Sequence, residues 1–236
     1  MALTPSDLVE LLGRVEHFKR LPVADRETIV NAGQIRIFPA GAVICREGDP
    51  CAGMFVLLAG HVHLCKLGPQ GQQSIVAEIE PVIMFNEVTV LDGGANLTTA
   101  IAVQDCTTWN ISHANFLSLM QRYPLVGLAQ GLLRVMATRT RRLLSQYEDV
   151  SFRSVLARSA KLLLELSDNG QRPIDRKQLT NTEMAARLST VPEALSRSLK
   201  VFKQNGDILC TRTSIIVKQP KALEKFAQID PVLFKG

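Results

Sequence analysis

No stretch of the 236-residue chain approaches the ~20 consecutive apolar residues that a membrane-spanning helix needs. Residues Met1 to Gly13 also lack a basic patch followed by an apolar core, so a cytoplasmic protein is expected, with no membrane partner. The five cysteines (Cys45, Cys51, Cys65, Cys106 and Cys210) are odd in number and scattered, with no C-x-x-C pair and no Cys/His cluster at zinc spacing. A disulfide framework and a structural metal are therefore not expected. Signatures of catalysis are missing too: there is no G-x-S-x-G elbow, no P-loop, no H-E-x-x-H and no G-x-G-x-x-G, so no enzyme is expected. Gly68-Pro-Gln-Gly-Gln-Gln reads as a hairpin loop, not a phosphate cradle.

What is present is an ordinary folded composition, 46% hydrophobic and 21% charged. The net charge of +5 is unevenly spread. Residues 1–150 carry 12 Lys/Arg against 14 Asp/Glu, whereas residues 151–236 carry 15 against 8. A basic last third is what a two-domain chain shows when one domain binds a polyanion.

Texture divides the chain further. Two short helices lead in, around Ser6 to Val15 and from Pro22 to Val30. Short β-branched and apolar runs follow, punctuated by Gly, Pro and Asp: Ile35–Phe38, Ala42–Cys45, Met54–Leu58, His61–Leu67, Ser74–Ile79, Leu97–Val103 and Thr107–Ile111. Seven such strands predict a sandwich or barrel over residues 1–123. Residues 124–150 have no proline after Pro124 and no glycine after Gly131. There Leu128, Leu132, Val135, Arg139, Arg142 and Gln146 recur at steps of four and three, the seam of a long helix that packs on a partner helix. Leu128, Leu132 and Val135 are the expected dimer contacts.

Residues 151–236 carry a helix near Arg153–Ser167 and then two helices with a tight turn between them. The first, from Leu179 to Leu188, turns Met184, Ala185 and Leu188 inward; the second runs from Val191 to Asn205 and stops at Gly206. Thr190-x-x-Glu193 predicts a capping box, with Pro192 in the first turn. Leu195, Leu199 and Phe202 form the second helix's apolar stripe, so Glu193, Ser196, Arg197 and Lys200 share the opposite face. Glu can accept from cytosine, Arg can grip guanine or phosphate, Ser can bond either, and Lys can neutralise phosphate. Thr180, Thr182 and Thr190 join them as expected DNA contacts. Ile208 to Lys218 then reads as a two-stranded hairpin, a wing.

With Gly48-Asp-Pro, Met54-Phe-Val-Leu-Leu-Ala-Gly60-His-Val-His-Leu, Phe85-Asn-Glu87-Val and Glu193-x-x-Ser196-Arg197 in this order, the chain resembles the cyclic AMP receptor protein/FNR (Crp/Fnr) family of bacterial transcription regulators over essentially its whole length. The resemblance implies an α+β chain: a β-roll sensor, a long dimerisation helix and a C-terminal winged helix-turn-helix. It also implies a homodimer that reads palindromic double-stranded DNA, and RNA polymerase as a partner. Glu-x-x-Ser-Arg looks like the FNR branch, whose half-sites resemble TTGA, although Pro192 stands where that branch has Val. A cyclic-nucleotide-binding module with no DNA output is the alternative, and it leaves the basic third unexplained.

For the effector, the resemblance places the pocket at Asn86, Glu87 and Val88, Leu97, Thr98 and Thr99, with Arg139 reaching in from the long helix. Family members that bind cyclic AMP carry Gly where Asn86 stands, and an Arg-Ser or Arg-Thr pair within Leu97-Thr98-Thr99-Ala100 to clamp the phosphate. Leucine and threonine supply no cation, so cyclic AMP is disfavoured and the effector stays unnamed. No cysteine precedes Cys45, which disfavours the family's N-terminal iron–sulfur cluster. Haem is the remaining cofactor the resemblance implies, with His17, His61 or His63 as its ligand. His61 and His63 share one strand face.

Overall fold

The computed structural model describes residues 4–16, 18–68, 73–122 and 126–227, with side chains throughout except at 122 and 126–128. They fall into two compact units, one drawn from Met1–Lys66 and Val76–Thr140, the other from Leu67–Ile75 and Arg141–Gly236.

In the first unit, α1 (Pro5–Arg14) starts at a capping box between Thr4 and Asp7, and α2 (Val23–Ala32) follows. Eight strands come next: β1 (Gln34–Phe38), β2 (Val43–Cys45), β3 (Met54–Ala59), β4 (Val62–Leu67), β5 (Gln73–Ile79), β6 (Met84–Phe85), β7 (Thr99–Ala102) and β8 (Cys106–Ile111). The seven expected strands are all present; β6, only two residues long, is too short for alternation to announce it. The strands form two sheets, ordered β1-β8-β3-β6 and β2-β7-β4-β5.

Strand β3 shows why its sequence is continuously apolar. Phe55 and Leu57 point into a core between the sheets with Val62, Leu64, Phe85 and Ala100. Met54, Val56 and Leu58 point the other way, into a second core with Leu8, Leu12, Phe18, Val30, Trp109, Phe116 and Leu132. A strand buried on both faces loses the polar half of its alternation. Gly60, at φ +97°, makes the β3–β4 turn; a Cβ there would lie 2.5 Å from the Asp105 carbonyl oxygen.

Short helix α3 (Glu87–Asp92) lies between β6 and β7, and α4 (His113–Arg122) follows β8. The long helix α5 runs from Val126 to Phe152. Its Leu132 is only 4% exposed and belongs to the core of its own unit, so its side chain is not free to pack on a partner. Val135 is half-buried, and the side chain of Leu128 lies outside the described residues. The exposed apolar stripe falls one residue further along: Leu133 (70%), Leu143 (53%), Tyr147 (67%) and Val150 are exposed, with half-buried Met136 and exposed Thr140 completing steps of three and four. Of the expected contacts, Leu132 thus faces the helix's own domain, whereas Arg142 of the same row is exposed; spacing alone does not say which of two adjacent stripes covers that domain.

The second unit holds α6 (Val155–Leu166), β9 (Ile174–Asp175), α7 (Asn181–Arg187), α8 (Pro192–Gln204), β10 (Ile208–Cys210), β11 (Ser214–Val217) and α9 (Pro220–Ala227). Leu163, Met184, Leu195, Leu199, Phe202, Ile208, Ile215 and Leu223 form its core. Three strands make a small sheet ordered β10-β11-β9. At the α5–α6 joint, Asp149 accepts from Arg153 Nε at 2.7 Å and from Lys161 Nζ at 2.5 Å.

Candidate effector site and nucleic-acid interface

The segment 86–99 is built around two asparagines. Asn86 takes the left-handed conformation (φ 62°) just before α3, where the resemblance would put glycine; asparagine is one of the few residues that tolerates it. Its amide donates to the Gly53 carbonyl at 2.8 Å and to Asn96 Oδ1 at 3.0 Å. Buried Asn96 in turn donates to the Arg46 and Pro50 carbonyls and accepts from the Ala52 N–H. This clasp fixes both halves of the expected pocket against each other. Asn96 went unmarked by the sequence because a buried asparagine looks like any loop asparagine.

Glu87, the first residue of α3, is 1% exposed. Its Oε1 accepts from Arg139 Nη1 of α5, and Arg139 Nη2 donates to the Met84 carbonyl. Glu87 Oε2 has no hydrogen-bond partner among the described residues. Burying a carboxylate oxygen without a donor is costly. Val88 and Thr98 are half-buried and Leu97 is exposed, while the buried Thr99 hydroxyl accepts from the Glu47 N–H at 3.1 Å. The structure thus brings Glu87 and Arg139 together and puts no cation at 97–99.

His61 and His63 lie at and within the start of β4, their rings edge to face at 5.3 Å, and His61 Nε2 is 3.8 Å from Glu78 Oε2. Two rings this close on one strand leave no room for a porphyrin between them, and the carboxylate beside them suits a small cation. His17, the other candidate ligand, lies outside the described residues. Burial pushes the thiols of Cys45, Cys106 and Cys210 up, away from the reactive thiolate.

In the second unit, α7 and α8 are joined by Leu188–Val191. Thr180 caps α7, its hydroxyl accepting from the Glu183 N–H at 3.1 Å. The expected capping box at α8 does not form. The N-cap is Val191, with no side-chain cap bond, because Pro192 occupies the first helical position and holds the residue before it extended (φ −98°, ψ 151°). Thr190 therefore stands outside the helix and is half-buried, and Glu193 falls in the first turn, freed from a capping role.

Glu193, Ser196, Arg197 and Lys200 are all exposed on one face of α8, opposite buried Leu195, Leu199 and Phe202; Thr182 is exposed on α7. Two further residues position this face. Asn181 Nδ2 donates to Ser196 Oγ at 3.2 Å, and Arg176 donates to Asn181 Oδ1 and to the Thr211 carbonyl in the wing turn, both at 3.2 Å. Arg176 thereby ties β9, α7 and the wing together, and Arg212 is exposed in the wing turn. A helix with one apolar face packed on its domain's core and one polar, partly cationic face exposed can enter a major groove.

Comparison with known proteins agrees with this geometry. The cyclic nucleotide-binding domain matches residues 35–123, and the Crp-like helix-turn-helix domain matches residues 157–226. The chain is 29% identical over 194 residues to the cyclic AMP receptor protein of Thermus thermophilus, covering 82% of this chain and 88% of that one. It is 24% identical over 225 residues to a CRP-like cAMP-activated global transcriptional regulator of Mycobacterium tuberculosis, covering 93% and 99%. Among solved structures it is similar to the Thermus thermophilus catabolite activator protein, with TM-score 0.53, 26% identity and coverage of 90% and 98%. With a cyclic nucleotide-binding β domain, a long helix and a Crp-like helix-turn-helix on one chain, the protein belongs to the Crp/Fnr family and is a DNA-binding transcription regulator with an effector-binding domain.

Proposed function

We propose that the chain acts as a cytoplasmic homodimer that reads a palindromic operator with two copies of α8 and answers to RNA polymerase, the partner the family implies. The partner contact is the stripe Leu133, Met136, Thr140, Leu143, Tyr147 and Val150, a largely apolar row at coiled-coil spacing of which all but half-buried Met136 is exposed. Glu193, Ser196 and Arg197 read the bases of a half-site resembling TTGA, and Lys200, Thr180 and Thr182 hold the backbone. The support is their common exposed face and the early turns they occupy.

Both relatives above are named for cyclic AMP, yet the effector of this chain is read differently. Leu97, Thr98 and Thr99 offer no positive charge to a cyclic phosphate, and Arg139 is already engaged by Glu87. The observation that carries the reading is Glu87 itself: buried, half-paired, with Oε2 facing no donor. An effector that lacks a phosphate and donates a hydroxyl or amine proton to that oxygen fits the site. Calorimetry with cyclic AMP tests this. No tight complex is expected; a tight one overturns the reading and assigns the phosphate to Arg139, which Arg139→Ala then verifies.

A further inference from the structure

We propose that His61, His63 and Glu78 form a binding site for a divalent transition metal, best suited to Zn2+, separate from the Glu87 site. Val62 and Leu64 of β4 point into the core between the sheets, as does Ile79 of β5, with Ala77 packed against it. Strand alternation therefore puts His61, His63 and Glu78 together on the opposite face. One donor atom from each residue lies within 4.8 Å of the other two, and His61 Nε2 stands 3.8 Å from Glu78 Oε2. Zinc bonds of about 2.0–2.2 Å in a tetrahedron set ligand atoms roughly 3.4 Å apart, so modest side-chain rotations close the set.

The donor types agree with the geometry. Two imidazoles and one carboxylate are a borderline nitrogen and oxygen set, which favours zinc over calcium or magnesium. A histidine pair two residues apart on a strand fixes two of the three directions before the metal arrives. Three protein ligands leave the fourth position to water, so the site is open. His61 and Glu78 keep side-chain exposures of 21% and 29%, enough for an ion to enter. The backbone beneath is fixed, since the His61 carbonyl accepts from the Val103 N–H at 2.8 Å and His63 pairs with Ile101 on β7.

The test is titration of chelator-stripped full-length protein with ZnCl2 by calorimetry, together with the absorption spectrum of the Co2+ form. One zinc per chain is expected, with affinity reduced roughly tenfold or more in His61→Ala, in His63→Ala and in Glu78→Gln, and with Cys51→Ser unchanged. The Co2+ spectrum should lack a thiolate charge-transfer band. Thermal unfolding of the metal-free variants reports folding, and His61→Gln replaces any alanine variant that does not fold. Failure of the wild type to bind zinc, unaltered binding in the His61→Ala/His63→Ala double variant, or a thiolate band on Co2+ each overturns the site.

Discussion

Arg139 and Glu87, 52 residues apart in sequence, are joined as an ion pair between α5 and α3 in which the carboxylate is buried and only one of its oxygens is satisfied. The side chain of Arg139 is 31% exposed, so water softens but does not remove the cost of stranding the acid. Arg139→Ala should lower stability by about 2–3 kcal/mol in urea unfolding. Glu87→Ala/Arg139→Ala should recover part of that loss, because no buried charge is left unpaired. Loss of less than about 0.5 kcal/mol in the single variant means the pair contributes nothing to the fold.

Leu132 and Leu143 sit on the same helix and should fail differently. Leu132→Ala opens a cavity in the first unit's core and should cost about 3 kcal/mol without altering assembly. Leu143→Asp puts a charge on the exposed stripe and should convert dimer to monomer in sedimentation while each unit stays folded. An unaltered dimer for Leu143→Asp, or a monomeric wild type, contradicts the assigned stripe.

The same helix shows what the sequence could and could not carry. The period of α5 is legible, but which residues of it are buried is not: only the packed β domain shows that Leu132 is covered and Leu133 exposed. The strands were legible because Gly, Pro and Asp bound them, whereas two-residue β6 and β9 leave no period to read. At α8 the buried stripe Leu195, Leu199 and Phe202 is legible from spacing, yet Pro192 displaces the cap that Thr190 and Glu193 together suggest. Asn96, Arg176 and Asn181 act through contacts distant in sequence, and nothing local marks them.

Arg197 and Lys200 should separate specificity from affinity. Arg197→Ala should cost roughly 1–3 kcal/mol on a matched half-site and much less on random DNA. Lys200→Ala should weaken both DNAs alike and lower the salt slope by about one unit. Equal losses on matched and random DNA for both variants would make Arg197 a phosphate clamp and transfer specificity to DNA shape or the wing.

Cys45 and Cys106 should be inert in the native protein. Burial raises both thiols, and Cys106 Sγ donates to the His61 and Gln104 carbonyls. At neutral pH a thiol reagent should label them only at the rate of unfolding, with half-buried Cys51 reacting first. Fast labelling of Cys106 in folded protein contradicts this and reopens a redox role.

Selection of binding sites from a pool of randomised duplexes by the full-length protein tests most directly the proposal that it reads DNA as a dimer. Enrichment of a two-fold symmetric sequence is expected, its half-sites centred about 34 Å apart and its affinity falling steeply with salt. Recovery of a lone half-site, or of no sequence above the starting pool at any salt concentration, would contradict it.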